Sequence, residues 1–374
     1  MKKKLLFLTG TRADFGKIKS LIEISRNHPD FEVHIFATGM HVHEKYGLTV
    51  REIEKSGFDN IQTYQNFDGE ESMDEILANT IHGLSTYIKN HNPDMIVIHG
   101  DRVEALAGAI VGSLNNIFVA HIEGGEVSGT IDELIRHSVS KLSHFHLVAN
   151  ELAQNRLLQM GEREESVFVI GSPDLDIMFS DKLESLEFVK SYYEIPFEEF
   201  GILMFHPVTT EVDQMENYSQ NLAKAVVGSD ENYIVIAPNN DLGSEAIFDA
   251  YNILAEQPNI RMFPSLRFEY FLVLLKHAQF LLGNSSTGIR EAPYYGVPSI
   301  NIGTRQQNRS LHAEIINCDY TAMAISTAIK KALKMGRYEA DSRFGSGKSD
   351  EQFLEILSNP RLWESSKQKL FKDR

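Results

Sequence analysis

Short, uninterrupted apolar runs alternate with helix-period segments along almost the whole sequence, and this alternation restricts the fold more than any other feature. The first runs fall at 5–9, 32–38, 95–99, 118–122, 145–148 and 167–170, with helices expected near 17–27, 72–90, 102–113, 130–143 and 151–160. A strand that is apolar at successive positions is covered on both faces, as in a parallel sheet flanked by helices. Strand–helix–strand order then implies crossover connections. The pattern lapses over 180–199, where charged and turn residues interrupt it, and resumes with strands at 201–205, 233–237, 261–263, 280–283 and 299–302. The expectation is an α/β chain of two Rossmann-like doubly wound domains facing a central cleft. Their bounds are 1–180 and 199–355, and a C-terminal helix over 356–374 packs back on the first domain. Ligands of such sheets bind at the carboxyl ends of the strands.

Charge narrows the classes of partner. The 374 residues carry a net charge of −16, from 36 basic and 52 acidic side chains. No basic cluster is longer than Lys2–Lys4, which argues against a nucleic-acid partner. An anionic small molecule must therefore meet a local positive patch built against the background. The apolar run after Lys2–Lys4 stops at Thr9, too short for a signal sequence, and nothing approaches the roughly 20 apolar residues of a membrane span. With Cys318 as the single cysteine, a cytoplasmic protein without disulfides is expected.

Three familiar patterns fail. Gly345-Ser346-Gly347-Lys348-Ser349 has the look of a phosphate loop, but the position that requires glycine is Ser342 and no strand leads into it. A dinucleotide fingerprint is absent after Gly10. The histidines at 41, 43, 137, 144 and 146 match no zinc spacing and read as surface or core residues. No metal or redox cofactor is expected.

The chemistry-bearing residues sit where strands give way to helices. Thr9-Gly10-Thr11-Arg12-Ala13-Asp14-Phe15-Gly16-Lys17 follows the first strand, and its turn offers N–H groups with Arg12 and Lys17 nearby. Taken alone it reads equally well as a tight turn with solvated charges. Asp101 and Glu123 end two consecutive strands, and carboxylates converging on one crevice suit proton transfer. Asp132, Glu133 and Arg136 lie on the first turns of a helix, where acids often only complement the dipole. His206 ends the first strand of the second domain and is placed to bind phosphate or carry a proton. Asn284-Ser285-Ser286-Thr287-Gly288 opens a helix as a pyrophosphate cradle would, with Glu291 placed for a ribose diol.

These residues, together with His99-Gly100-Asp101-Arg102-Val103-Glu104, His121-Ile122-Glu123-Gly124-Gly125-Glu126, Phe205-His206-Pro207, Arg290-Glu291-Ala292-Pro293 and Gly303-Thr304-Arg305-Gln306, closely resemble the UDP-N-acetylglucosamine 2-epimerase family over essentially the whole chain. Ala13-Asp14, where the non-hydrolysing branch usually has Pro-Glu, and Gly124-Gly125-Glu126, in place of Ala-Gly-Leu, point to the hydrolysing branch of bacterial sialic acid synthesis. The resemblance implies a glycosyltransferase-B fold, a UDP-sugar substrate and a homodimer or homotetramer. It implies catalytic roles for Asp101, Glu123, Asp132, Glu133 and His206. It further implies substrate contacts from Arg12, Lys17, Arg136, Phe271, Ser285, Ser286, Glu291, Arg305 and Arg309. The alternatives are the same reaction on a 2,4-diacetamido-trideoxy hexose, a non-hydrolysing 2-epimerase, a glycosyltransferase of the same fold, and a catalytically silent nucleotide-sugar binder.

Overall fold

The computed structural model of the chain describes all residues except 1, 70, 129–130, 181–182, 307–313, 341–344, 371 and 373–374. The chain divides into two compact units: Met1–Glu126 with Asp132–Asp181 and Arg343–Arg374, and Val127–Ile131 with Lys182–Ser342.

The first unit is built on a seven-stranded sheet of β1 (Lys3–Thr9), β2 (Phe31–Ala37), β3 (Ile61–Thr63), β4 (Met95–His99), β5 (Phe118–Ile122), β6 (Phe145–Val148) and β7 (Val167–Val169). All pairings are parallel and the order is β3-β2-β1-β4-β5-β6-β7. The connecting helices are α1 (Arg12–Arg26), α2 (Val50–Lys55), α3 (Met73–His91), α4 (Val103–Leu114), α5 (Ile131–Leu142), α6 (Glu151–Gln159) and α7 (Asp174–Met178). Chain order reverses direction between β1 and β4, and the carboxyl ends at such a switch point open the crevice used for ligands. Gly10 follows β1 and Gly100-Asp101 follows β4, so both sequence motifs fall at that point.

The second unit opens with α8 (Leu186–Tyr192) and carries a six-stranded parallel sheet. Its strands are β8 (Gly201–Met204), β9 (Tyr233–Ile236), β10 (Ile260–Phe263), β11 (Leu281–Gly283), β12 (Ser299–Ile302) and β13 (Ile316–Cys318). The helices are α9 (Met215–Val227), α10 (Ser244–Ala255), α11 (Phe268–His277), α12 (Glu291–Tyr294) and α13 (Ala322–Met335). The order β10-β9-β8-β11-β12-β13 puts the reversal between β8 and β11. His206 follows the first of these strands and Asn284-Ser285 the second.

The chain ends with α14 (Ser349–Ser358) and α15 (Pro360–Trp363), both part of the first unit. Residues 345–355, expected in the second domain, therefore belong to the first. The reason is packing: Phe353 is fully buried, 6.2 Å from the ring of Phe7, with Leu357 and Leu362 in the same core. Burial of a Phe of this kind contributes about 1.5–3 kcal/mol. The Gly345–Ser349 segment is occupied by the protein itself. Asp176 accepts from Ser349 N–H (2.8 Å), Asp350 N–H (3.1 Å) and Ser349 Oγ (2.6 Å), which caps α14 with a carboxylate.

Local differences from the sequence expectation have local causes. The first helix begins at Arg12 rather than near 17, because Thr11 in extended conformation caps it by accepting from Asp14 N–H. The edge strands β3 and β13 have three residues each, too short to show a period. The 180–199 stretch contains α8, capped by Ser185.

Candidate active site

In the first unit, β4 and β5 pair in register so that His99 faces Ile122, and the chain leaves both strands at the same level. Gly100 is fixed from two sides, its N–H donating to Ile122 O (3.0 Å) and its carbonyl lying 2.9 Å from His121 Nε2. This presents Asp101, whose carboxylate is ion-paired with the guanidinium of the fully buried Arg136 on α5. Arg136 therefore holds a catalytic candidate, a contact that the resemblance did not supply. Glu123 leaves β5 with φ +65°, a left-handed conformation uncommon outside glycine. Its Oε1 accepts from Ser172 Oγ at 2.8 Å, and its Oε2 lies 3.2 Å from His99 Nε2. His99 Nδ1 lies 2.8 Å from Asp14 Oδ1, and Asp14 Oδ2 accepts from Gly10 N–H at 3.0 Å.

This row of Asp14, His99 and Glu123 is nearly sealed, with side chains 12%, 9% and 8% exposed. Burial works against a charge on His99, but Glu123, together with the hydrogen bond and charge of Asp14, outweighs it and raises the imidazole to about 9. Burial likewise opposes ionisation of Asp14, and the His99 contact overcomes it to hold Asp14 below the ordinary range. His121 and His41 behave oppositely: burial pushes them down to about 3 and about 4, so both are neutral.

The remaining first-unit candidates are spread around this row. Arg12 pairs with Glu52 at 3.6 Å, and the buried Lys17 pairs with Asp174 on α7 at 3.5 Å. Both cations thus already have a carboxylate neighbour. Glu104 fills the space beside Gly10 and Gly39, where a Cβ would meet its carboxyl atoms at 2.9 and 2.6 Å, and it accepts from Arg102 Nε at 3.1 Å. Asp132 and Glu133 are half-buried on the first turn of α5, Glu133 being 3.4 Å from His137 one turn on. His146 and His41 are fully buried, as core histidines are.

In the second unit, Asn284 organises the site. Its side chain accepts from His206 N–H (2.7 Å) and donates to His206 O (2.8 Å), while its own carbonyl accepts from Arg305 Nη1 (3.3 Å) and Gln306 Nε2 (2.9 Å). His206 Nδ1 accepts from Asn239 N–H at 3.1 Å, so Nδ1 carries no proton and the ring proton sits on Nε2. Gly283 before this turn has φ +139°, and a Cβ there would overlap the Met204 carbonyl. Ser285 turns the chain by accepting from Thr287 N–H, and Ser286 starts the short turn that follows. Glu291 is fully buried at the start of α12, and Phe271 is buried on α11. Arg309 lies outside the described residues.

Several site residues escaped the sequence reading. His99 and Asp14 stood inside the quoted motifs but gave no sign of being partners 85 positions apart. Ser172, forty-nine positions from Glu123, had no local signal at all. Among the described residues, no group of three or more His, Cys, Asp or Glu side chains is arranged to hold a metal ion, and no helix is long and apolar enough to cross a membrane.

Two doubly wound parallel sheets, each with polar candidates at its switch point, define an α/β protein of the glycosyltransferase-B class. The solved structure of Methanocaldococcus jannaschii UDP-GlcNAc 2-epimerase in complex with UDP-GlcNAc and UDP has the same fold. It superposes with a TM-score of 0.81 at 23% identity, over 95% of this chain and 99% of that one. The family model described as UDP-N-acetylglucosamine 2-epimerase matches residues 23–358. The chain is 52% identical over 374 residues to the UDP-N-acetylglucosamine 2-epimerase of Neisseria meningitidis serogroup B, covering 99% of each. It is 33% identical over 365 residues to the UDP-N,N'-diacetylbacillosamine 2-epimerase (hydrolyzing) of Legionella pneumophila, covering 96% of each. The chain belongs to the UDP-N-acetylglucosamine 2-epimerase family.

Proposed function

We propose that this chain is a hydrolysing 2-epimerase that converts UDP-N-acetylglucosamine and water into N-acetylmannosamine and UDP, supplying the first intermediate of sialic acid synthesis. The observation that carries the reading is the pair of acids leaving adjacent strands, each with its own partner: Asp101 on Arg136, Glu123 on Ser172 and His99. A proton on C2 of an acetamido sugar is weakly acidic, so its removal is coupled to departure of UDP from C1 and gives a 2-acetamidoglucal. Water then adds at C1 and a proton returns to the other face of C2. Two carboxylates serve as base and acid, with Asp132 and Glu133 assisting hydration. In the second unit, His206 donates through Nε2 to the departing diphosphate. The Ser285–Ser286 turn and Arg305 hold its oxygens, and Glu291 and Phe271 serve the nucleoside. Arg12 and Lys17 are the first unit's candidates for the diphosphate, each with its charge offset by a neighbouring carboxylate, Glu52 and Asp174.

The hydrolysing outcome rests on Ala13-Asp14 and Gly124-Gly125-Glu126, and on likeness to the Legionella enzyme whose name specifies hydrolysis. That same likeness favours one second reading, a 2,4-diacetamido-trideoxy hexose as the sugar; the higher identity to the Neisseria enzyme favours N-acetylglucosamine. Purified protein incubated with each UDP-sugar separates them. Release of UDP and N-acetylmannosamine at the higher kcat/KM from UDP-N-acetylglucosamine supports the first reading, and the reverse preference installs the second.

A further inference from the structure

We propose that His99 is a positioning residue for this reaction: held between Asp14 and Glu123, it carries the proton that keeps Glu123 ionised, so that Glu123 begins the cycle as the base. The proposal rests on the reading of Glu123 as a proton-transfer group. Asp14 cannot swing away, since Oδ2 accepts from Gly10 N–H and its own N–H donates to Thr11 Oγ at 3.1 Å. It therefore fixes the imidazole plane through Nδ1 and directs Nε2 toward Glu123. Glu123 is held from the other side by Ser172.

Charge counting gives the direction. With a neutral imidazole, two carboxylates share a nearly water-free row and carry −2 together; with an imidazolium the row carries −1. Uptake of a substrate proton by Glu123 then takes the row to zero, a state that needs no solvation where solvent is excluded. The Nε2–Oε2 contact is at ion-pair distance, 3.2 Å, so the imidazolium acts directly on the Glu123 carboxylate. The other groups on the packed elements do not upset this balance. His121 on β5 is neutral, Lys17 of α1 and Asp174 of α7 cancel as a pair, and Arg102 and Glu104 of the α4 start do the same.

The test is the pH profile of kcat for UDP release by wild type and His99→Gln, with melting curves as a folding check. Without the cation, Asp14 and Glu123 compete for one proton. The variant should lose about 100-fold in kcat near pH 6, with KM within about threefold, and recover to within about tenfold near pH 9. A loss by one constant factor at every pH, or none, overturns the proposal. A second arm needs no turnover: imidazole nitrogen NMR should show His99 doubly protonated at neutral pH, with its titration midpoint lowered by about a unit or more in Glu123→Gln. A neutral His99, or one indifferent to Glu123→Gln, overturns it as well. If wild type releases no UDP from either sugar nucleotide, the functional reading fails and the NMR arm alone decides on His99.

Discussion

Asn284 grips the main chain of His206 on both its N–H and its carbonyl, at 2.7 and 2.8 Å, and so ties the end of β8 to the end of β11. The imidazole direction thus depends on a side chain 78 positions away. Asn284→Ala leaves two partly buried main-chain groups without that partner and loosens the turn that orients Arg305 and Gln306. It should cost roughly 1–3 kcal/mol in urea-unfolding stability and at least about tenfold in kcat/KM.

The paired acids should behave as chemical groups and not as props. Asp101→Asn and Glu123→Gln keep shape and should each lose about 10²–10⁴-fold in kcat. Glu123→Gln should keep a near-normal melting temperature, whereas Asp101→Asn also leaves the buried Arg136 guanidinium without its anion and should melt lower. Near-normal turnover in both would remove them from the mechanism.

Arg136 tests the same pair from its other side. It is fully buried with its guanidinium on Asp101, and Arg136→Met leaves that carboxylate without its cation. Breaking a fully buried pair from one side costs roughly 3–5 kcal/mol; the Asp101 carboxylate is a quarter exposed, so a smaller drop in stability should accompany the loss of activity. Thermal melts beside kinetics distinguish this from a contact made only with substrate.

Stability should fall on both sides of neutrality for reasons that can be separated. His99 has a folded value of about 9 against an ordinary 6.5, so its contribution is complete below about pH 6.5 and is lost as pH rises through 9. His41 and His121, buried neutral at about 4 and about 3, act in reverse: the unfolded chain binds their protons first, and stability falls as pH drops below 6.5. Urea midpoints across pH should therefore form a dome, and the fall between about pH 6.5 and 9 that His99 causes should be gone in His99→Gln.

The chain end is anchored by a buried charge cluster. Glu162 accepts from Lys369 at 2.6 Å and Lys141 at 2.8 Å and lies 3.0 Å from His146, while Lys369 also donates to the carbonyls of Ser140 and Ser143. Burial alone raises the Glu162 carboxyl, but His146 and the two lysines hold it down at about 2. Its contribution is complete above the ordinary 4.5 and lost as pH falls toward 2. Lys369→Met should speed limited proteolysis of the last residues, and an unchanged cleavage rate would deny the anchor its role.

Much of this was legible in the sequence, because continuous apolar runs announce parallel strands and the candidate residues sit where those runs stop. Gly100-Asp101, Glu123, His206 and Ser285 could be placed at strand ends from pattern alone. What pattern could not supply was pairing across the chain. Ser172 with Glu123, Asp176 with the start of α14, and Arg136 with Asp101 are tertiary contacts with no period. Three-residue edge strands such as Ile61–Thr63 are too short to declare themselves.

The most direct test is turnover of UDP-N-acetylglucosamine in heavy water, followed by proton NMR. The account predicts stoichiometric UDP and free N-acetylmannosamine carrying deuterium at C2. Accumulation of UDP-N-acetylmannosamine without UDP release, or a product that keeps its original C2 proton, would contradict it.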